Sequence, residues 1–404
     1  MNTQLSEINP VSGIRLGVAA AGIKETTQRN DIALIELVAG GNAAGVFTSN
    51  AFRAAPIILA QQHLNTKLPR YLLINSGNAN AGTGKQGIQD AYACCQALAS
   101  IVGCTPEEVL PFSTGIIGEP LPVTQIVAAL PNAVNTLSGT GWLDAAQAIM
   151  TTDTVPKYIT QNFQVGKHTA VITGMAKGSG MICPNMGTML AYIATDLAVL
   201  PPVLQQILHI AVAQSFNCIS VDGDTSTNDA CILLASGKNS APTIYDPTSS
   251  AGLALASAVN AVCKELAEAI VRDGEGATKL VHIKVHEALN RNEARQVADT
   301  IAHSPLVKTA LFASDPNWGR ILAAVGRVGL ENLDIDLVRL YLDDVCIVRN
   351  GCRAAEYTEK AGQEVLQRSE FTIKVALGRG NATANLLTCD LSHDYVRINA
   401  EYRT

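Results

Sequence analysis

At six places along the chain a regular-looking stretch runs into a short segment of small polar residues. These are NSGNANAGTG (75–84), FSTGIIGEP (112–120), MTTDT (150–154), KGSG (177–180), DGDTSTND (222–229) and DGEGATK (273–279). Any one of them reads as an ordinary turn. Six together, most of them closing a strand or a helix, point to loops gathered at one pocket. The segments between them set the fold class. DIALIELV (31–38), 44–48 and YLLIN (71–75) read as strands closed by Gly/Asn clusters. Segment 86–102 carries apolar residues at helical spacing. Thr105-Pro-Glu-Glu108 has the form of a capping box and predicts another helix there. Helical spacing continues over 121–137 and 142–150, 163–173 reads as a β segment, and 201–214 and 249–273 are strong helices. KLVHIKVHE (279–287) alternates as a half-buried strand. A helix after Asn290, the loop 314–318, another helix and then alternating strands complete the chain. Strands and helices mixed without regular βαβ alternation predict α+β layers rather than a doubly wound sheet.

A chain of 404 residues is too long for one compact core. A change of pattern near 280–290 suggests a large domain over 1–282 and a smaller one over 283–404. Hydrophobic residues make up 48% and charged residues 16%, which leaves little room for disorder. The net charge of −6 is spread along the chain without a basic cluster, so neither nucleic acid nor an anionic membrane is an expected partner. The opening MNTQLSEINPVSG lacks the charged and apolar regions of a secretory signal, and no run reaches the ~20 apolar residues of a membrane span. The 10 cysteines are scattered singly in apolar surroundings, apart from Cys94-Cys95, with no CxxC. They are expected to be reduced thiols of a cytoplasmic protein.

Several familiar chemistries fail. GNANAGTGKQ has Ala79 and Gln86 where a phosphate-binding loop needs Gly and Ser/Thr, and LGRGNATAN has Thr383 at the third glycine of a dinucleotide fingerprint. No G-x-S-x-G elbow is present, and none of the 7 histidines lies in a polar, Gly-rich segment. His282 and His286 share one face of a predicted strand, but no carboxylate cluster accompanies them, so no metal site is expected.

The remaining chemistry lies in KGSGMICPNMGTMLAYIATD (177–196), where turn residues meet an apolar run at Gly187-Thr188. If Thr188 Oγ attacked the Gly187 carbonyl, an ester would form that water resolves. Glycine before the attacker permits the strained conformation this needs. The freed α-amine of Thr188, with an ordinary pKa of about 7.7–8.0, could serve as base for its own hydroxyl without any histidine. An ordinary loop-to-strand threonine has the same spacing.

The segment closely resembles the self-cleavage site of the ornithine acetyltransferase / glutamate N-acetyltransferase family of arginine biosynthesis. The resemblance runs the length of the chain, through GIRLGVAAAGIK, NSGNANAGTG, STGIIGEPLP, AIMTTDT, SVDGDTSTND, DGEGATK, SDPNWGRI and YVRINAEYRT. Gly187 and Cys183 each stand where the family usually has alanine. The resemblance implies a layered α/β large domain, of the kind shared with the DmpA-like aminopeptidases, and a smaller C-terminal α/β domain. Cleavage between Gly187 and Thr188 would leave chains 1–187 and 188–404, assembled as an α2β2 heterotetramer. Thr188 would be the acetyl-accepting nucleophile, and Thr114 and Gly115 the oxyanion-stabilising pair. Thr151, Lys177, Thr188, Glu275, Asn399 and Thr404 would contact substrate, Lys177 meeting the α-carboxylate and Glu275 the ornithine ammonium. The implied reaction moves acetyl from N-acetylornithine to glutamate, with acetyl-CoA a further donor in some members and no metal or bound cofactor. An N-terminal-nucleophile aminopeptidase or amidase shares the acyl-enzyme chemistry, and a non-enzymatic binding protein would show the same loops uncut. At the C-terminus, the alternation of Tyr395, Val396, Arg397 and Ile398 predicts a strand that carries Asn399 and Thr404 inward.

Overall fold

The computed structural model describes residues 8–24, 29–183 and 189–401. Two compact units emerge: Met1–Gly178, Asn185–Asn217 and Thr225–Ile270 form the first, and Ser179–Pro184, Cys218–Asp224 and Val271–Thr404 the second. The division passes through two of the polar loops, KGSG and DGDTSTND.

The described residues of the first unit hold nine strands: β1 (Ile14–Ala19), β2 (Ile32–Leu37), β3 (Asn42–Phe47), β4 (Tyr71–Asn78), β5 (Val109–Ile116), β6 (Lys157–Val165), β7 (His168–Lys177), β8 (Leu190–Thr195) and β9 (Ala230–Ala235). They make a four-stranded sheet in the order β1-β2-β4-β5 and a five-stranded sheet in the order β3-β9-β8-β7-β6. Side-chain alternation explains how the sheets stack. Ala33, Ile35 and Leu37 of β2 share one apolar cluster with Leu190, Tyr192 and Ala194 of β8 and Ile232 and Leu234 of β9. The opposite face of the first sheet, with Ile32 and Leu34, packs on helices α2 (Gly84–Val102) and α3 (Val123–Asn135) through Cys95, Leu98, Ile126 and Leu130. The second sheet carries α5 (Pro201–Ala213) and α6 (Ser250–Arg272). A Cβ on Gly174 of β7 would come within 2.8 Å of Val262 on α6, so glycine lets that helix lie close. The unit is therefore layered helix, sheet, sheet, helix, as expected of two apolar-faced sheets that must each be covered on both sides. Shorter helices α1 (Ala55–Thr66) and α4 (Trp142–Ala148) add Ile57, Trp142 and Ala145 to the inter-sheet core.

The second unit has one six-stranded sheet built from β10 (Leu280–Ala288), β11 (Arg339–Leu342), β12 (Val345–Arg349), β13 (Cys352–Arg353), β14 (Glu370–Ala376) and β15 (Ala382–Cys389). Val281, Ile283 and Val285 of β10 and Ile373 and Val375 of β14 pack with Val297 and Ile301 of α7 (Arg291–Ala302) and Ile321 and Val325 of α9 (Trp318–Arg327). Helices α8 (Pro305–Phe312), α10 (Glu359–Leu366) and α11 (His393–Ala400) complete it. Residues 282 and 283, where the pattern change suggested a boundary, both lie within β10.

Three expectations need correction. The capping box at Thr105 forms, with Thr105 N–H donating to Glu108 Oε2 at 2.8 Å, but caps only a 3₁₀ turn (Pro106–Glu108). Pro111 would be disfavoured in a helix interior, and Val109 and Leu110 are fully buried where β5 joins β4 in parallel. The β segment over 163–173 is a hairpin, β6 and β7 turning at Gly166. The predicted terminal strand is α11: Asp394 in its first turn and Arg397 in its last suit a helix, and Tyr395 and Asn399 share a face at i,i+4. No helix among the described residues is long and apolar enough to cross a membrane.

Candidate active site

In the first unit the polar loops meet where β4 and β5 end side by side. Gly77 pairs with Gly115 there, and Asn78 faces both Thr114 and Ile116 in a bulge. Gly115 has φ +138°, and a Cβ on it would stand 2.3 Å from the Gly77 carbonyl carbon and 2.5 Å from the Asn78 nitrogen. No other residue fits. Buried amides tie the loops together. Ser113 Oγ donates to Asn75 Oδ1 at 2.5 Å, and Asn228 Nδ2 donates to the carbonyls of Ala79 (2.6 Å) and Ser113 (2.8 Å). The DGDTSTND segment is thereby fastened to both NSGNANAGTG and FSTGIIGEP.

Lys177 ends β7 and is only 3% exposed, and its ammonium donates to Thr114 Oγ1 at 3.3 Å. Beneath it lies Asp153, from MTTDT. Its carboxylate accepts from Lys157 Nζ (2.7 Å), Gly178 N–H (2.7 Å) and Thr151 N–H (3.0 Å). The Asp153 and Lys157 side chains are 0% and 1% exposed. Burial alone would raise the Asp153 carboxyl, but the charges of Lys177 and Lys157 and the donated hydrogen bonds outweigh it and hold it far below the carboxylate range. Thr151 is thus fixed through its backbone, and Lys177 is held near the Thr114-Gly115 corner by a charge network. The sequence reading named Thr114, Gly115, Thr151 and Lys177 but missed Asp153 and Lys157, whose i,i+4 spacing inside MTTDTVPK was the available signal.

Lys177 also faces Leu190 across β7 and β8, and Leu190 faces Ala230 on β9. One residue before each of those positions, Asp229 accepts from Met189 N–H at 2.8 Å through Oδ1. Burial pushes the Asp229 carboxyl well up. Gly187 and Thr188, which precede Met189 in the chain, lie outside the described residues, as does Thr404.

In the second unit Glu275, from DGEGATK, is buried and accepts from Asn399 Nδ2 at 2.8 Å. Its own N–H donates to the Ser179 carbonyl at 2.8 Å, and its carboxylate lies over Gly180, where a Cβ would sit 2.4 Å from it. The structure therefore brings Glu275 and Asn399 together, on a helix rather than the predicted strand. Asp222 accepts from the N–H groups of Met181 (2.6 Å) and Ile182 (3.0 Å) and from Tyr395 Oη (3.4 Å); burial pushes its carboxyl up to about 6. Cys183 Sγ lies 3.9 Å from His303 Nε2, and burial pushes that thiol up to about 12, so it is a neutral neighbour rather than a thiolate. His282 pairs with Glu370 at 3.0 Å. All 10 cysteines are free thiols, and the described residues include no cluster of three or more His, Cys, Asp or Glu able to hold a metal ion.

The arrangement in the first unit offers two buried lysines and a glycine corner suited to a developing negative charge. The chain as a whole is similar to proteins already known. The model of the ArgJ family matches residues 15–404. The arginine biosynthesis bifunctional protein ArgJ of Methylococcus capsulatus is 58% identical over 402 residues, covering 99% of this chain and 98% of that protein. Its counterpart from Pseudomonas syringae pv. tomato is 51% identical over 400 residues, again covering 99% and 98%. Among solved structures, that of the arginine biosynthesis bifunctional protein ArgJ from Bacillus halodurans aligns with a TM-score of 0.50 at 37% identity, over 52% of this chain and 98% of that one.

Proposed function

The chain belongs to the ArgJ family, and from that premise we propose that it transfers acetyl from N-acetylornithine to glutamate in arginine biosynthesis, through an acetyl ester on Thr188. The observation that carries the reading is the contact of the buried Lys177 ammonium with Thr114, beside a Gly115 that admits no side chain.

The chemistry runs as two acyl transfers. After cleavage between Gly187 and Thr188, the new α-amine takes the Thr188 hydroxyl proton as Oγ attacks the acetyl carbonyl. The Thr114 hydroxyl and the Gly115 N–H donate to the oxyanion, and collapse breaks the amide C–N bond, the leaving amine of ornithine taking up the proton. The amine of glutamate then attacks the ester. The new C–N bond forms, the C–O bond to Thr188 breaks, and the proton returns to Oγ. Lys177 takes the α-carboxylate of the acetylated amino acid and Thr151 lies beside it. Glu275 and Asn399 are assigned to the ornithine ammonium, and Thr404 to the substrate. Acetyl-CoA fits the same nucleophile as an alternative donor. Chains 1–187 and 188–404, their α2β2 assembly and a cytoplasmic location belong to the same proposal.

Self-cleavage gives the first test. Denaturing electrophoresis and intact mass of the purified protein should show two fragments, one ending at Gly187 and one beginning at Thr188. Thr188→Ala should give one uncut, inactive chain. An active protein that stays whole overturns the reading, and an acyl-enzyme discharged by water but not by glutamate would favour an amidase.

A further inference from the structure

Lys177 has a neighbour that the proposed chemistry leaves unused. Lys24 lies on the loop after β1, and that loop is wrapped on the buried carboxylate of Asp31, which accepts from Ala21 N–H (2.6 Å), Ile23 N–H (2.6 Å) and Lys24 N–H (3.4 Å). The side chain crosses Gly77, where a Cβ would sit 3.1 Å from Lys24 Cγ. Gly77 is the residue paired with Gly115. The ammonium then donates to the carbonyl of Met150 at 2.7 Å, one residue before Thr151. Lys24 thus approaches the corner from the Gly77 and Met150 side, while Lys177 meets Thr114. The two lysines are close enough to repel. The Met150 carbonyl takes one of three N–H donors on the Lys24 ammonium, and a second cation is more than one α-carboxylate requires.

The substrates supply a use for it. Ornithine carries an ammonium on its side chain, whereas glutamate carries a carboxylate, so the acceptor brings a second anion that the donor lacks. We infer that Lys24 is a specificity-determining residue that binds the side-chain carboxylate of the acceptor amino acid, while Lys177 holds the α-carboxylate. The inference rests on the acetyl-transfer reading above. The groups acting on Lys24 fit a cation kept for this purpose. Burial, then Arg29, lower it, Asp31 raises it, Lys177 lowers it and Asp153 raises it, leaving it at about 8. It is charged below that pH and loses its charge above it. An anion bound beside it would hold the charge on.

The test uses the whole, self-processed protein, acetylated with N-acetylornithine and discharged with glutamate or with glutamine, which has the same α-amine but no side-chain charge. Lys24→Met should raise the KM for glutamate about tenfold or more, as expected for losing one charge-assisted hydrogen bond. Discharge by glutamine and acetylation by N-acetylornithine should stay within about twofold. A loss shared equally by glutamate and glutamine would make Lys24 only an anchor of its loop, and would overturn the inference, as would an unchanged ratio. Should Lys24→Met not fold, the wild-type profile decides. The preference for glutamate over glutamine should fall as pH rises through about 8, the α-amines of both acceptors and of Thr188 cancelling in the ratio; a flat ratio refutes the role. A wild-type protein that N-acetylornithine never acetylates would instead sink the acetyl-transfer reading itself, and the Lys24 role with it.

Discussion

In the first unit the buried Asp153 carboxylate meets Lys157, Gly178 N–H and the charge of Lys177. In the second, Asp222 accepts from the backbone N–H groups of Met181, Ile182 and Asp224 and from the Tyr395 hydroxyl, all neutral donors. The two carboxyls respond in opposite senses, one held far down by cations and the other raised to about 6 by burial. Their glycines differ in the same way. Gly115 is enclosed by backbone at φ +138°, whereas Gly180 is overlain by the end of the Glu275 side chain. The first unit thus sets a charge-paired carboxylate beside a glycine corner enclosed by backbone, and the second presents carboxylates held by neutral donors. Under the proposed function, the nucleophile and oxyanion donors need fixed positions, whereas recognition of a flexible ornithine side chain tolerates more give.

The glycine pair should separate the two most widely. Gly115→Ala combines backbone strain of about 1–3 kcal/mol with overpacking of about 1–3 kcal/mol against atoms that cannot rotate away. Urea unfolding should show a loss of about 2–6 kcal/mol, and acetyl transfer should be abolished. Gly180→Ala meets a movable carboxylate, so stability should change by about 1 kcal/mol or less while the KM for N-acetylornithine rises as Glu275 is displaced. Equal losses from the two changes would erase the distinction.

The carboxyl pair comes next. Asp153→Asn breaks the buried ion pair with Lys157 and should cost roughly 3–5 kcal/mol at pH 7. Because the Asp153 pKa is depressed on folding, its contribution is full above about pH 4 and is lost only as pH falls through its low folded value. Asp222 has the reverse sign. Its folded pKa of about 6 exceeds the ordinary value near about 3.9, so the native state binds more protons between them and its contribution to stability falls as pH rises across that window. Asp222→Asn should remove that fall, read as a slope of unfolding free energy against pH that is more positive than the wild type's between about pH 4 and 6. An unchanged slope in the variant would mean that Asp222 is held low by a cation after all.

Much of this was legible in the residues, for reasons that differ by element. β2 and β4 carry apolar runs stopped by Gly or Asn, and the long helix α6 carries apolar residues at helical spacing, so local pattern and burial agree. At Thr105 the local signal was real but outweighed by Pro111, six residues on, and by the pairing of β5 with β4. In α11 four residues were too few to tell a period of two from one of 3.6, and contacts of Tyr395 and Asn399 distant in sequence decide the outcome. The polar segments that hold Thr114, Gly115, Lys177 and Glu275 stood out by their small residues, while these four positions within them were named by the family resemblance. Asp153, Lys157 and Lys24 did not, since their roles come from partners such as Gly178 and Met150 that a linear reading cannot place beside them.

The central claim is that Thr188 carries the acetyl group between two amino acids. Intact mass of the processed protein, after brief exposure to N-acetylornithine without glutamate, reads it directly. One acetyl group should appear on the fragment that begins at Thr188, located to that residue by peptide sequencing, and it should vanish on adding glutamate as N-acetylglutamate forms. Turnover with no acetyl on that fragment, or acetyl found on a residue other than Thr188, would contradict the account.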